Sequence, residues 1–357
     1  MEKQNKNFFT AVGLMSGTSC DGLDICYCHF ELEFEKWRYN IIEAKTIPYV
    51  KEWERKLRNA DSLNGRDLIL LHKEFGIFCG NEVNKFLTSF NLAKPDFISS
   101  HGHTIFHEPD LGLNFQIGDG NCISAICGCK TIFDFRSLDI AFGGQGAPLV
   151  PIGDKLLFNQ YDACLNLGGI ANVSFEFEGK RIAFDICPFN LLVNHFAKRE
   201  GLAFDNDGIL ASEGIVCEKL LYELNNLPFV NHPFPKSLGI ERIESEYMSI
   251  LNNLPLSAKD VLATLTEHVV IQVDKVLRNS KLNFLLITGG GAYNVFFIEK
   301  LKNRINISVI VPDAQLIEFK EALIFAFLGC LRFVEADNTL LSVTGAAQNC
   351  SSGLIAM

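Results

Sequence analysis

Asp185 stands at the end of a short apolar run, Ala183-Phe184-Asp185-Ile186. A carboxylate at the C-terminal end of a strand, facing a cleft, is where a general base belongs. The same residue would also serve as a cap for a helix starting after Pro188, and the residues alone leave both readings open. Three turns of small residues offer a second chemistry: Ser16 to Gly22, Gly168 to Asn172 and Gly289 to Asn294. Such turns expose backbone N–H groups and let a phosphate approach where side chains would prevent it. Any one of them alone reads more readily as a glycine turn closing a hairpin; three in one chain weaken that plainer reading. None is the G-x-x-x-x-G-K-S/T loop, and Gly289-Gly290-Gly291-Ala292-Tyr293-Asn294 does not fit G-x-G-x-x-G. Asp21 and Asp24 lie beside the first turn, where a carboxylate repels phosphate unless Mg²⁺ lies between them, directly or through water.

Other candidates are scattered. Arg136, in Asp134-Phe135-Arg136-Ser137-Leu138-Asp139, has the fork to grip a carboxylate or a hydroxyl pair, or merely to bridge Asp134 or Asp139. The flexible stretch Gly143-Gly144-Gln145-Gly146-Ala147-Pro148 follows it. His101 and His103, two apart, suggest a metal site or a base, against the plainer reading of two satisfied loop histidines. Glu321 reads as a residue at a helix start, where an acid favours the macrodipole.

The elements that must position these residues repeat an architecture. Phe8 to Leu14 and Gly22 to Phe34 read as strands joined by the Ser16–Gly22 loop. Helices are expected at Val50 to Arg58 and Asp67 to Leu92, a strand at Pro95 to Ser100, a helix at Gly120 to Cys129 and a strand at Lys130 to Phe135. The second half restarts with strands at Cys164 to Leu167, Val173 to Glu178 and Arg181 to Ile186. Helices follow at Leu191 to Glu200, Gly208 to Leu224 and Ala258 to Arg278, with a buried strand at Phe284 to Thr288. Both halves open as strand, Gly-rich turn, strand, without sequence identity between them. The break is placed near residues 134 to 150.

Composition narrows the function classes. The chain has 357 residues, 48% of them hydrophobic, enough for about two globular domains. Its net charge of −10, with no run of five basic residues, argues against nucleic acid as a partner. The longest apolar runs, such as Ala322 to Cys330, fall well short of a membrane span, so a soluble protein with no membrane partner is expected. The 12 cysteines sit mostly in apolar stretches and read as reduced core residues. The pairs Cys26/Cys28 and Cys127/Cys129 put side chains on one face of an extended strand, and no second pair lies at zinc-site spacing. Lys3 and Lys6 ahead of Phe8 to Met15 faintly resemble a secretory signal, but the run is short and broken at Gly13, so the cytoplasm is the expected compartment.

With these segments in hand, the chain resembles the anhydro-N-acetylmuramic acid kinases, within the sugar kinase, actin and Hsp70-type ATPase superfamily. The resemblance runs from Gly13-Leu14-Met15-Ser16-Gly17-Thr18-Ser19-Cys20-Asp21-Gly22-Leu23-Asp24 to Ser342-Val343-Thr344-Gly345-Ala346. Between them stand Ser100 to Thr104, Gln116 to Asp119, Asp134 to Pro151, Asn166 to Asn172, Phe204 to Gly208, Pro235 to Gly239 and Thr288 to Asn294. It implies an α/β fold of two RNase H-like domains, 1–134 and 135–357, each with a mixed five-stranded sheet, closing on ATP in an interdomain cleft. The last helix is a candidate to pack on the first domain.

The resemblance also implies roles. ATP, with Mg²⁺ near Asp21, would be held by Gly17, Thr18, Ser19, Cys20, Asp21, Gly22, Leu23 and Asp24 of the first turn. Gly168, Gly169 and Asn172 of the second turn and Gly289, Gly290, Gly291 and Asn294 of the third complete that set. Asp185 matches the base and Arg136 and Glu321 match sugar-side residues, while His101, Gln116, Asp119, Gln145 and Asn190 fall to substrate binding. The implied reaction opens a 1,6-anhydro bridge with water while O6 takes the γ-phosphoryl group, giving N-acetylmuramic acid 6-phosphate. A homodimer is a candidate assembly.

Two departures stand out. The family's Phe-Asp-Thr-Gly-Pro-Gly-Asn is here Phe184-Asp185-Ile186-Cys187-Pro188-Phe189-Asn190, and Lys-Ser-x-Gly-Arg-Glu becomes Lys236-Ser237-Leu238-Gly239-Ile240-Glu241. Cys187 and Phe189 in place of glycines would deny the turn an inexpensive positive φ and bring a ring into the site. That keeps two other readings in view: a nucleotide-binding sensor that transfers nothing, and a kinase of the same fold for another sugar.

Overall fold

The structure, a computed structural model, describes residues 7–252, 255–278 and 280–357. Lys3 and Lys6 lie outside the described residues. The chain forms two compact units, Met1–Phe158 with Phe319–Met357, and Asn159–Glu318.

The first unit holds strands β1 (Phe8–Ser16), β2 (Gly22–Glu33), β3 (Lys36–Pro48), β4 (Phe97–Glu108), β5 (Leu113–Ile117) and β6 (Thr131–Phe133). The second holds β7 (Ala163–Leu167), β8 (Ile170–Phe177), β9 (Lys180–Pro188), β10 (Phe284–Thr288) and β11 (Ser308–Ile310), and β12 (Leu354–Ala356) returns to the first. The sheet orders are β12-β6-β4-β1-β2-β3, with β5 paired to β4, and β11-β10-β7-β8-β9. The five strands β6-β4-β1-β2-β3 repeat β11-β10-β7-β8-β9 in order and sense. In each set the first three strands form an antiparallel meander, and the fourth and fifth run parallel to the first. The five-stranded expectation therefore holds for the second sheet; the first is seven-stranded, extended by β5 and β12.

This topology sets the turn after the first strand beside the fourth strand in each unit. Because β1 and β4 are parallel neighbours, Ser16, the last residue of β1, pairs with His103, midway along β4, which runs on to Glu108 and pairs with β5. In the second sheet β7 and β10 end together, with Asn166 opposite Thr288. The loops after those two strands thus emerge side by side, the usual place for a ligand in an α/β sheet.

The first core gathers Val12, Leu14, Ile25, Phe75 and Ile98 around the long helix Gly65–Ser89. Asn64 caps that helix by accepting from the Asp67 N–H at 3.1 Å. The second core gathers Leu165, Val173, Phe189, Val269 and Phe297 around the helix Ala258–Leu277, capped by Ser257.

Several expectations need correction. The boundary lies at 158/159, not near 134 to 150, because the helix Val150–Leu157 packs with β3 of the first sheet. The chain crosses back at 318/319, inside the helix Ala314–Phe333. Glu321 is therefore in a helix interior, where no macrodipole argument applies. The helix expected from Gly208 to Leu224 is two, Ile209–Glu213 and Glu218–Asn225, parted at Gly214, where an added Cβ would collide with the Lys259 carbonyl. Cys26 and Cys28 do share a face of β2, their sulfurs 3.2 Å apart, whereas Cys127 ends the helix Gly120–Cys127. Among the described residues no helix is long and apolar enough to cross a membrane.

Candidate active site

In the first unit, the turn after β1 is shaped by Cys20 at φ +57° and by the Cys20 N–H donating to the Gly17 carbonyl at 3.1 Å. The amide N–H groups of Thr18 and Ser19 have no protein acceptor among the described residues. Arg58 reaches the Ser19 carbonyl at 2.7 Å, a cation beside the turn that sequence reading missed because it lies far away in the chain. Asp21 is exposed, and one of its oxygens accepts from Ser19 Oγ at 2.8 Å. Asp24 accepts from Thr46 Oγ1 at 2.6 Å. Gly22 is required, since a Cβ there would stand 2.7 Å from the Ile47 carbonyl oxygen.

Beneath the turn runs a buried polar chain. Tyr49 Oη donates to Ser16 Oγ at 2.7 Å, and Ser16 Oγ lies 2.9 Å from His103 Nδ1. Cys20 Sγ donates to the Thr18 carbonyl and lies 3.9 Å from His103 Nε2, so the sulfur faces Nε2 as an acceptor; with the proton on Nε2, Nδ1 accepts from Ser16. Burial, with the Arg58 charge, pulls His103 down to about 4 and keeps it neutral at pH 7. His103 is thus a support for the turn.

Arg136 and His101 meet beside it. Arg136 Nη2 donates to His101 Nε2 at 2.8 Å, and Nη1 to the Gly146 carbonyl at 2.7 Å. With Nδ1 3.0 Å from the Gly102 carbonyl, His101 is the Nδ1–H tautomer, and burial beside Arg136 holds its pKa well below the ordinary range. Burial lowers Arg136 itself to about 10, against the pull of Glu321. Its Nε has no hydrogen-bond partner among the described residues. Arg136 bridges neither Asp134 nor Asp139. Asp134 accepts from Ser137, and the fully buried Asp139 accepts from Gly146 N–H and Thr344 Oγ1, both at 2.8 Å, which ties down the 143–148 loop. Glu321 is reached by solvent, yet crowding by protein raises its carboxyl, against Lys320 and Arg136.

The substrate candidates separate here. Gln116 and His101 line one cavity of about 170 Å³ with Asp134 and Ser137. The Gln145 side chain is exposed. Asp119 has another duty. One oxygen caps the helix Gly120–Cys127 through Asn121 N–H at 2.8 Å, and the other pairs with Lys73 at 2.8 Å. Burial would raise its carboxyl, but these bonds win and lower it to about 2.

In the second unit, Gly168-Gly169 joins β7 to β8. Gly289, at φ +82°, approaches so closely that a Cβ would lie 2.5 Å from Asn166 Oδ1. The N–H groups of Gly290 and Gly291 have no protein acceptor among the described residues. Asn190 donates to the Leu167 carbonyl at 3.0 Å and so braces the first of these turns, while Asn172 makes only a long bond to Ile170. Asn294 is buried and caps the helix Val295–Arg304 through Phe297 N–H at 2.9 Å.

Asp185 does not cap the following helix. Its Oδ2 accepts from Leu238 N–H at 2.8 Å and from Ser237 Oγ at 3.4 Å, and its own N–H donates to the Lys236 carbonyl at 3.1 Å. Oδ1 has no protein partner among the described residues. Burial raises the carboxyl above the ordinary range, opposed by Leu238, Ser237 and Lys236. A β-bulge follows it: Asn172 pairs with Asp185 and Ala171 with Cys187, leaving Ile186 as the extra residue.

One family model, anhydro-N-acetylmuramic acid kinase, matches residues 9–357. The chain belongs to the anhydro-N-acetylmuramic acid kinase family. A relative of that name from Francisella tularensis subsp. novicida is 32% identical, covering 96% of this chain and 97% of its own. One from Aliivibrio fischeri is 33% identical, over 96% and 98%. As a member of the family the protein is a phosphotransferase, with ATP as co-substrate. A solved structure of component A of the (R)-2-hydroxyglutaryl-CoA dehydratase of Acidaminococcus fermentans is 11% identical over 89% of this chain and 96% of its own, at TM-score 0.46, too distant to bear on function.

Within the anhydro-N-acetylmuramic acid kinase family, the Cys187/Phe189 departure takes on a different meaning. Neither residue adopts positive φ, and both are fully buried. The Phe189 ring packs on Phe297 at 4.8 Å and fills the space beneath Gly291, where a Cβ would strike it. The ring joins the core of the second unit, so the expectation of a bulky group entering the site is corrected.

Proposed function

We propose that the protein uses ATP to convert 1,6-anhydro-N-acetylmuramic acid and water into N-acetylmuramic acid 6-phosphate and ADP. Water attacks the anomeric carbon as the bond to O6 breaks, O6 takes the γ-phosphoryl group, and Asp185 takes the proton of the water. The carrying observation is the Asp185 carboxylate: one oxygen fixed by Leu238, the other without a protein partner among the described residues, and a basicity raised by burial. Arg136 and Glu321 position the sugar, and His101 holds the Arg136 fork in register.

The open N–H groups of Thr18 and Ser19 and of Gly290 and Gly291 suit phosphate oxygens in a transfer that depends on positioning and charge neutralisation. Mg²⁺ fits the first turn: Asp21 is an exposed carboxylate with one oxygen still available, and this ion prefers one or two carboxylates plus waters and phosphates to an all-protein cage. It would supply charge neutralisation there. Among the described residues no group of three or more His, Cys, Asp or Glu side chains could hold a metal by itself.

Incubating purified protein with Mg·ATP and the anhydro sugar tests the reading: ADP and a 6-phosphosugar should form in equal amounts, with an oxygen from ¹⁸O-water at C1. ADP release without phosphosugar, or turnover only with another sugar, overturns it.

A further inference from the structure

On the second unit, a cavity of about 430 Å³ lies between β8, β9 and the end of the helix Ala258–Leu277, within the size range of small-molecule sites. Its walls include Phe177, Phe184, Phe234 and Val276. Phe184 and Phe234 stack at 5.1 Å, and Phe177 meets Phe234 edge-on at 5.3 Å. Phe177 and Phe234 remain about two-fifths exposed, an unusual position for paired aromatic rings.

The polar lining is one-sided. His232, Lys236 and Lys275 face this space, and no carboxylate lines it among the described residues. Lys236 is held in place by the carbonyls of Phe229 at 3.1 Å and Val230 at 3.2 Å, whereas Lys275 is exposed. Two lysines and a histidine around an aromatic cavity match an apolar body that ends in a negative charge. The cavity also touches the proposed catalytic machinery through the backbone: Phe234 and Lys236 line it, the Lys236 carbonyl accepts from Asp185 N–H, and Leu238 N–H holds the Asp185 carboxylate.

We propose that this cavity binds a small amphipathic anion, an aromatic or acyl chain ending in a carboxylate, and that its occupancy is transmitted to Asp185 along Phe234–Leu238. The transmission, but not the binding, rests on the reading of Asp185 as the base.

Calorimetric titration of the full chain with 4-phenylbutyrate and decanoate, and with the matching alcohols, tests the binding. One-site saturation by at least one acid is expected, with the alcohol at least about tenfold weaker, a difference of about 1.4 kcal/mol. Which acid binds tighter separates the aromatic from the acyl source. Lys275→Glu, at an exposed position, should weaken the acid about tenfold or more, and Val276→Trp should abolish binding by filling the space. No saturable binding, equal binding of acid and alcohol, or unchanged binding in Lys275→Glu overturns the site, whether or not the protein turns over sugar. With binding established, an acid limb of kcat that stays put in saturating ligand overturns the transmission alone.

Discussion

Asp185 Oδ2 accepts from the Leu238 N–H at 2.8 Å, so a residue more than fifty positions away in sequence fixes one face of the proposed base and leaves the other open. Asp185→Asn keeps the size of the side chain and removes its basicity. Turnover is expected to fall by about 10²–10⁴-fold or more, with nucleotide affinity changed by less than about threefold. Stopped-assay kinetics with equilibrium ATP binding measure both; near-native turnover removes Asp185 from the role.

The same carboxyl sets a pH dependence. Its pKa is raised in the folded protein, mainly by burial, so it must lose its proton above the ordinary carboxylate range before it can act. The acid limb of kcat/KM is expected above the ordinary aspartate range, and a limb within or below that range contradicts the assignment.

Arg136 divides its guanidinium between His101 Nε2 and the Gly146 carbonyl, a fork that a lysine cannot reproduce. Arg136→Lys should raise the KM for sugar and lower kcat/KM by about 10²-fold, while leaving the KM for ATP within about threefold. Equal losses for both substrates indicate a general structural defect.

Phe189→Ala should cost about 3–5 kcal/mol in urea denaturation, because the ring fills core space beneath Gly291. The sugar KM of the folded fraction should stay within about threefold of the parent. A large KM change with little loss of stability restores the ring to the site.

Asp119 gives a stability signature of opposite sign. Its folded pKa of about 2 lies below the ordinary value, so its contribution is full above the unfolded-state pKa and disappears as pH falls through about 2. Asp119→Asn should destabilise the protein by about 1–2 kcal/mol at pH 7, trimmed by the exposure of Lys73, and by progressively less below about pH 4. A pH-independent difference rules out the ionised cap.

Much of this was legible because strands buried on both faces announce themselves. Phe284–Thr288 and Cys164–Leu167 are short apolar runs ending in glycine, and the turns that follow them are the turns of the site. Strand β3 escaped because Ile42 is an extra residue in its pairing with β2, which shifts its alternation out of phase. The helix Ala314–Phe333 was legible only as a helix start at Glu321, because Ala322 to Leu331 is buried almost all round and carries no 3.6-residue stripe to fix its bounds. At the site, the residue types of Asp185 and Arg136 were readable. Their partners Leu238 and Gly146 were not, since a backbone N–H or carbonyl has no signature in a side-chain sequence, and His101 was readable as a candidate but not as the acceptor of Arg136. Phe189 misled for a related reason: its fate depends on the empty space at Gly291, far along the chain.

The return of Phe319–Met357 to the first unit has a consequence for biosynthesis. On the ribosome, Asn159–Glu318 is a contiguous segment and can fold once it has emerged. The first unit cannot complete its sheet until β12 arrives to pair with β6, after the whole second unit has been made. The segment synthesised first therefore receives its last strand only after the segment synthesised second is complete.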